Sequence, residues 1–132
     1  MINARQKPIT ILLVEDIADH RELIKIMLEG GGYAVSSADN GERAWELLMA
    51  VRPGKDAPDL IITDLRLPGL NGLELIRRIR AMPGLGNIPI IATTAEHDLL
   101  LERALEYGAN AVLHKPLSEA LVDLIEQLLP QS

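Results

Sequence analysis

The hydrophobic pattern of this chain switches back and forth between two periods, and that alternation narrows the accessible folds more than any other feature. Short runs rich in β-branched residues, at 9–14, 33–37, 60–63, 88–93 and 111–114, place apolar side chains on successive positions, the signature of strands covered on both faces. Each is followed by a longer segment with helical spacing, at about 18–29, 41–51, 72–81, 98–107 and 118–129. In the first of these, Leu23, Ile24, Met27 and Leu28 form one apolar stripe, and Gly30, Gly31 and Gly32 end it. Phosphate-binding glycine loops lie between a strand and the next helix. This triplet follows a helix, so it reads as a C-cap and turn. Pro53-Gly54, Pro83-Gly84 and Gly108 close the next three helical segments, and Ser118 is placed to cap the last. Five strands alternating with five helices predict the α/β class: a parallel sheet with helices on both faces, joined by right-handed crossovers.

At 132 residues the chain fits one domain, 1–132, with a core at about 8–130 and no room for a conventional output domain. Apolar residues make up 48% and aromatics only 2%, so the core must be aliphatic. The absence of Cys removes disulfides, thiolate metal sites and cysteine nucleophiles together and fits a reducing compartment. A formal charge of −6 argues against binding a phosphate backbone, which points to protein partners and no nucleic acid. No apolar run is long enough to span a membrane, and residues 1–8 lack the hydrophobic segment of a secretory signal; a cytoplasmic protein with no membrane partner is expected.

Ligands of open parallel sheets sit beyond the carboxyl ends of the strands, near a topological switch point. Those ends carry Glu15-Asp16, Asp64, Thr93-Thr94 and Lys115-Pro116. Singly each has a bland reading: an Asp after a strand is most often a turn or cap residue, and a lone Lys is usually solvated. Together they converge, because neighbouring strands are only about 4.8 Å apart. Three carboxylates gathered in that way repel one another by about 4 kcal/mol per pair at about 4 Å and an effective dielectric of about 20. A divalent cation resolves the conflict. The all-oxygen set selects a hard ion such as Mg²⁺ (or Mn²⁺), which also binds phosphate oxygens, while Lys115 adds positive charge opposite.

The ordered set, from Ile9-Thr10-Ile11-Leu12-Leu13-Val14-Glu15-Asp16 through Asp64-Leu65-Arg66-Leu67-Pro68-Gly69-Leu70-Asn71-Gly72 and Thr94-Ala95 to Lys115-Pro116, resembles the receiver domains of two-component response regulators over essentially the whole chain. In size it is similar to the single-domain chemotaxis regulators. That resemblance implies a flavodoxin-like (βα)5 sheet in the order 2-1-3-4-5. It also implies Asp64 as phosphoacceptor, Asp16 and Asp64 as direct metal ligands, the backbone carbonyl of Arg66 as a third, and Glu15 as a ligand through water. Thr94 corresponds to the signalling hydroxyl and Lys115 to the lysine that contacts the phosphoryl oxygens. A cis Lys115-Pro116 peptide is implied too, and Pro68 and Gly72 shape the loop beside the phosphoacceptor. The implied function is a phosphorylation-dependent signalling module, served by a histidine kinase or a histidine phosphotransfer protein. It is an enzyme only toward its own phosphorylation and dephosphorylation, and its downstream target is unspecified.

Several positions depart from that pattern or lie outside it. Val112 stands where many receivers carry an aromatic residue, so any signal must pass through the backbone of the fourth strand and fourth helix. Arg66 and Glu96 are placed to form a salt bridge over the pocket mouth that would slow loss of phosphate. Leu99 points away from the stripe set by Leu101, Ala104 and Leu105, and Val122 and Leu129 widen the apolar arc of the fifth helix. These three define a candidate partner surface, for another protein or for a homodimer of an otherwise monomeric chain, set against ordinary scatter of exposed leucine. His20, His97 and His114 are read as neither ligands nor phosphohistidines, Trp45 as a packing residue, and Arg77, Arg78 and Arg80 as a solvated face. Two other readings compete: a receiver-like scaffold that binds partners independently of phosphorylation, and a phosphohydrolase of haloacid-dehalogenase type. The second needs a further acid two residues after its nucleophile, where this chain has Arg66.

Overall fold

A computed structural model describes residues 7–95 and 100–129. It contains β1 (Thr10–Val14), α1 (Ala18–Gly30), β2 (Ala34–Ala38), α2 (Gly41–Ala50), β3 (Leu60–Asp64), α3 (Gly72–Ala81), β4 (Ile90–Thr94), α4 (Leu100–Tyr107), β5 (Ala111–His114) and α5 (Glu119–Leu128). The strands form one parallel sheet in the order β2-β1-β3-β4-β5, the topology the sequence implies.

Alternation within each strand divides the core in two. Leu12 and Val14 of β1, Ile61 of β3 and Ile90 and Ala92 of β4 face Ala44, Leu48, Leu75, Ile76, Ile79 and Ala104, on α2, α3 and α4. Ile11 and Leu13, Leu60 and Ile62, and Ile91 point the other way, onto Ile24, Leu28, Leu121 and Ile125 of α1 and α5. Because both faces are covered, every residue of β3 and β4 is buried. This explains why their sequences run apolar without alternating.

Element boundaries shift by small amounts for local reasons. Tyr33 is expected in β2, but its N–H is spent on Leu28 O at the end of α1, so the strand begins at Ala34. The glycine triplet closes α1: Gly31 N–H donates to Met27 and Leu28 carbonyls, and Gly32 turns the chain with φ of +93°. Ile88 and Pro89 are expected in β4. Proline has no N–H to give a ladder, although Pro89 O still accepts from Ile61 N, and the strand starts at Ile90. β3 and β4 each run one residue further than expected, so Asp64 and Thr94 are themselves strand residues.

Two side-chain expectations are corrected. Leu129 does not belong to an exposed face: it is only 8% accessible and closes the α1–α5 core, its N–H bonded to Ile125 O. Arg80 is not part of a solvated face. It lies four residues after buried Ile76 and is half-buried; its guanidinium donates to Gly108 O (2.9 Å), Gly86 O (3.1 Å), Ile88 O (2.7 Å) and Asn110 Oδ1 (2.8 Å). Arg77 and Arg78 do remain exposed near Glu74, and Arg78 also lies over the ring of Trp45, which packs against the core as expected. Val122 is half-buried. Glu96, His97 and Leu99 lie outside the described residues, and with them the Arg66–Glu96 pair.

Candidate functional site

The strand order sets the site. β1 and β3 are neighbours in the middle of the sheet, with Val14 beside Thr63, so Glu15 and Asp16 emerge next to Asp64. β4 lies on the other side of β3, with Thr93 opposite Asp64, and β5 pairs Thr94 with His114. One further step along β5 reaches Lys115. Parallel strands all end on the same edge, so acids, hydroxyl and ammonium meet there.

Each group is held from the backbone. Glu15 is buried; its N–H donates to Ala38 O (3.0 Å), its carbonyl accepts from Arg21 Nη1 (2.9 Å) and its Oε2 accepts from Ile17 N (3.1 Å). Asp64, also buried, accepts from Arg66 N at Oδ1 (3.1 Å) and from Lys115 Nζ at Oδ2 (2.8 Å). The same ammonium lies against Glu15 Oε1. Burial works against the charge on Lys115, but the hydrogen bonds and negative charges of Asp64 and Glu15 outweigh it and hold its pKa above the ordinary lysine value. Thr94 is fully buried at the end of β4, and its carbonyl accepts from Lys115 N (2.9 Å). The Lys115-Pro116 peptide is cis.

The loop beyond Asp64 is packed too closely for any side chain at Gly72. A Cβ there would fall 2.2 Å from Asp64 O and 2.7 Å from Leu65 Cα. Gly72 N–H closes the loop onto Leu65 O (3.1 Å), and Asn71 caps α3 by accepting from Glu74 N (3.0 Å). Pro68 lies exposed at the turn between them.

Carboxylate oxygens of Glu15, Asp16 and Asp64 lie within 4.8 Å of one another, with Asp16 the exposed member. Three carboxylates against one ammonium leave a local charge of about −2, and the set contains no nitrogen or sulfur donor. Those residues fit a hard divalent cation with oxygen ligands.

His20, to which the sequence assigned no role, lies with Nδ1 3.5 Å from Lys115 Nζ. Val112, opposite Ala92, packs against the α2–α4 core as an aliphatic residue. Leu23 and Ile26 on α1 are 66% and 59% accessible, and a cavity of about 350 Å³ opens between α1 and the segment 115–117, with His20 and Lys115 in its wall.

Residues 11–127 match the family model of the response regulator receiver domain. The phosphate regulon transcriptional regulatory protein PhoB of Pseudomonas aeruginosa is 40% identical over 111 residues, 83% of this chain and 46% of PhoB. The chain spans about half the length of several such curated relatives. Among solved structures, a response regulator of Chloroflexus aurantiacus superposes with a TM-score of 0.84 at 35% identity, covering 92% of this chain and 98% of that one. The receiver domain of the sensor histidine kinase PA1611 from Pseudomonas aeruginosa, solved with a magnesium ion coordinated in its active-site cleft, gives 0.80 at 35% identity, covering 92% and 96%. With its fold, strand order and acidic edge all of this kind, the chain belongs to the family of response regulator receiver domains.

Proposed function

We propose that Asp64 accepts a phosphoryl group from the phosphohistidine of a histidine kinase or histidine phosphotransfer protein, and that the change switches which proteins the domain binds. The observation that carries this reading is the state of Asp64: a buried carboxylate at a strand end, with Arg66 N on one oxygen and Lys115 Nζ on the other, beside two further acids. In the transfer an Asp64 oxygen forms the new bond to phosphorus, the P–N bond to the donor breaks, and the electron pair leaves with the imidazole. Water later attacks the phosphorus, the P–O bond to Asp64 breaks, and inorganic phosphate leaves as the carboxylate is restored. The domain is thus an enzyme only toward its own phosphorylation and dephosphorylation.

Asp16, Asp64 and the Arg66 carbonyl would hold Mg²⁺ (or Mn²⁺) directly and Glu15 would hold it through water. Held there, such an ion would supply positive charge to the phosphoryl oxygens, and the residues around it would contribute mainly alignment and electrostatics. Lys115, already protonated and aimed inward, supplies the second positive charge. Thr94 supplies a hydroxyl at the end of β4, and drawing it toward a phosphoryl group would shift the segment that leads from β4 into α4. With Val112 in place of an aromatic ring, the backbone of that segment carries the signal. Exposed Leu23 and Ile26, beside a cavity that shares Lys115 with the acidic site, form the face on which a phosphohistidine donor would seat, since any donor must approach Asp64 from that edge.

Beryllofluoride with Mg²⁺ mimics an aspartyl phosphate and tests the switch. It is expected to move the amide resonances of Thr94, Ala95 and α4 in the wild type and to leave Asp64→Asn unchanged. A wild-type spectrum that does not respond would contradict the proposal.

A further inference from the structure

The loop after β3, residues 65–71, is held by a second element that takes no part in the acidic cluster. Leu70 N–H donates to Glu42 Oε2 on α2 at 3.0 Å. The carboxylate lies flat against the turn: a Cβ on Gly69, whose φ is +69°, would fall 2.4 Å from that same oxygen. The first residue of α2 is packed as closely, because a Cβ on Gly41 would fall 2.0 Å from Leu70 O. Asn40 fixes this end of α2 by accepting from Arg43 N at 2.7 Å. Glu42 therefore projects from a capped first turn, where the helix dipole also favours a carboxylate.

We propose that Glu42 is a positioning residue for the cation site. It holds Leu70 and, through the short proline-stiffened turn at Pro68, keeps the Arg66 carbonyl directed toward Asp16 and Asp64. The proposal rests on the reading of Arg66 as a cation ligand. The attachments of Leu65 N to Thr93 O, Arg66 N to Asp64 Oδ1 and Gly72 N to Leu65 O lie toward the two ends of the loop, while Glu42 holds its outer turn at Leu70. Glu42 is exposed, and its loss leaves no buried cavity or orphaned charge, so its substitutions test geometry more than folding.

The test uses the full chain as wild type, Glu42→Ala and Glu42→Gln, with the thermal transition recorded as a folding control. Amide exchange of Leu70 by NMR without metal reads the clamp; calorimetric titration with Mg²⁺ reads the site. In Glu42→Ala the Leu70 amide is expected to exchange about five- to tenfold faster and Mg²⁺ to bind about three- to tenfold more weakly, the effect of losing one charge-assisted hydrogen bond. Glutamine keeps an acceptor oxygen and restores both to within about twofold. Unchanged Leu70 exchange in Glu42→Ala would overturn the clamp, and faster exchange with unchanged Mg²⁺ affinity would overturn its link to the site. A wild type that binds no Mg²⁺ would overturn the cation-site reading itself, and the wild-type titration distinguishes that outcome from the other two.

Discussion

Lys115 is held in place by opposite charge. Its ammonium stands between Asp64 and Glu15, and the two acids outweigh the cost of its burial. A bound cation would share the pocket with that ammonium at the expense of their mutual repulsion. Lys115→Ala should therefore bind Mg²⁺ more tightly than the wild type, by about 1 kcal/mol or about fivefold, measured by calorimetry at low ionic strength. Weaker binding would mean that Lys115 organises the acids more than it competes with the ion. Glu15, Asp16, Asp64 and Lys115 could be read from the chain because each ends or follows a strand, and strand ends of a parallel sheet share one edge. His20 and Arg80 could not. A lone histidine or arginine takes its role from neighbours outside its own helix, and those of Arg80 lie at Gly86, Ile88, Gly108 and Asn110.

Between elements, Arg80 ties the end of α3 to the turns that enter β4 and β5. Asn110 Oδ1 accepts from both Arg80 and Ile90 N, so one guanidinium and one amide serve three segments. Arg80→Ala should lower the free energy of unfolding in urea by about 2–3 kcal/mol, because it leaves partly buried carbonyls without donors. Arg80→Lys should recover little of it, since one ammonium cannot reproduce a planar fork directed at separate acceptors. The connection from α2 to β3 has its own fastening. Asp56 accepts first from Arg52 N (2.7 Å) and also from its guanidinium, and these bonds hold the Asp56 carboxyl below its usual pKa of 3.8. A depressed carboxyl stabilises the fold above that value and ceases to do so as pH falls through its folded pKa. The stability difference between wild type and Asp56→Asn should thus be present at neutral pH and disappear once the pH falls below the depressed pKa of the folded carboxyl, as read by urea midpoints. A difference constant from neutral to acid pH would show that the amide serves as well as the carboxylate. Element identity was legible from periodicity alone. The ends were not, because Tyr33 and Ile88 look like strand residues until the end of α1 takes the Tyr33 N–H and the turn at Leu85 takes the Ile88 N–H. Leu129 looked like surface for a similar reason: helical spacing cannot show that the α1–α5 core extends past the last turn of α5.

Across the whole molecule, the sheet order does most to make a site from scattered residues. Placing β1 next to β3, and β4 and β5 beyond, brings residues 15, 16, 64, 94 and 115 to one edge although they span most of the chain. The two aliphatic cores beneath keep that edge fixed, and the helices around it supply what the sequence pattern did not reveal: the His20 contact from α1 and the Glu42 contact from α2. The central claim is that this edge directs phosphoryl transfer to one carboxylate with the help of a divalent cation. Phosphoramidate carries the same kind of P–N bond as phosphohistidine and tests that claim without a partner protein. Treated with it in the presence of Mg²⁺, the wild type should gain a single phosphoryl group, mapped by borohydride reduction and mass spectrometry to Asp64. Labelling should be lost on chelation of the metal and in Asp64→Asn. Labelling at another residue, or labelling of Asp64 that is indifferent to Mg²⁺, would contradict the account.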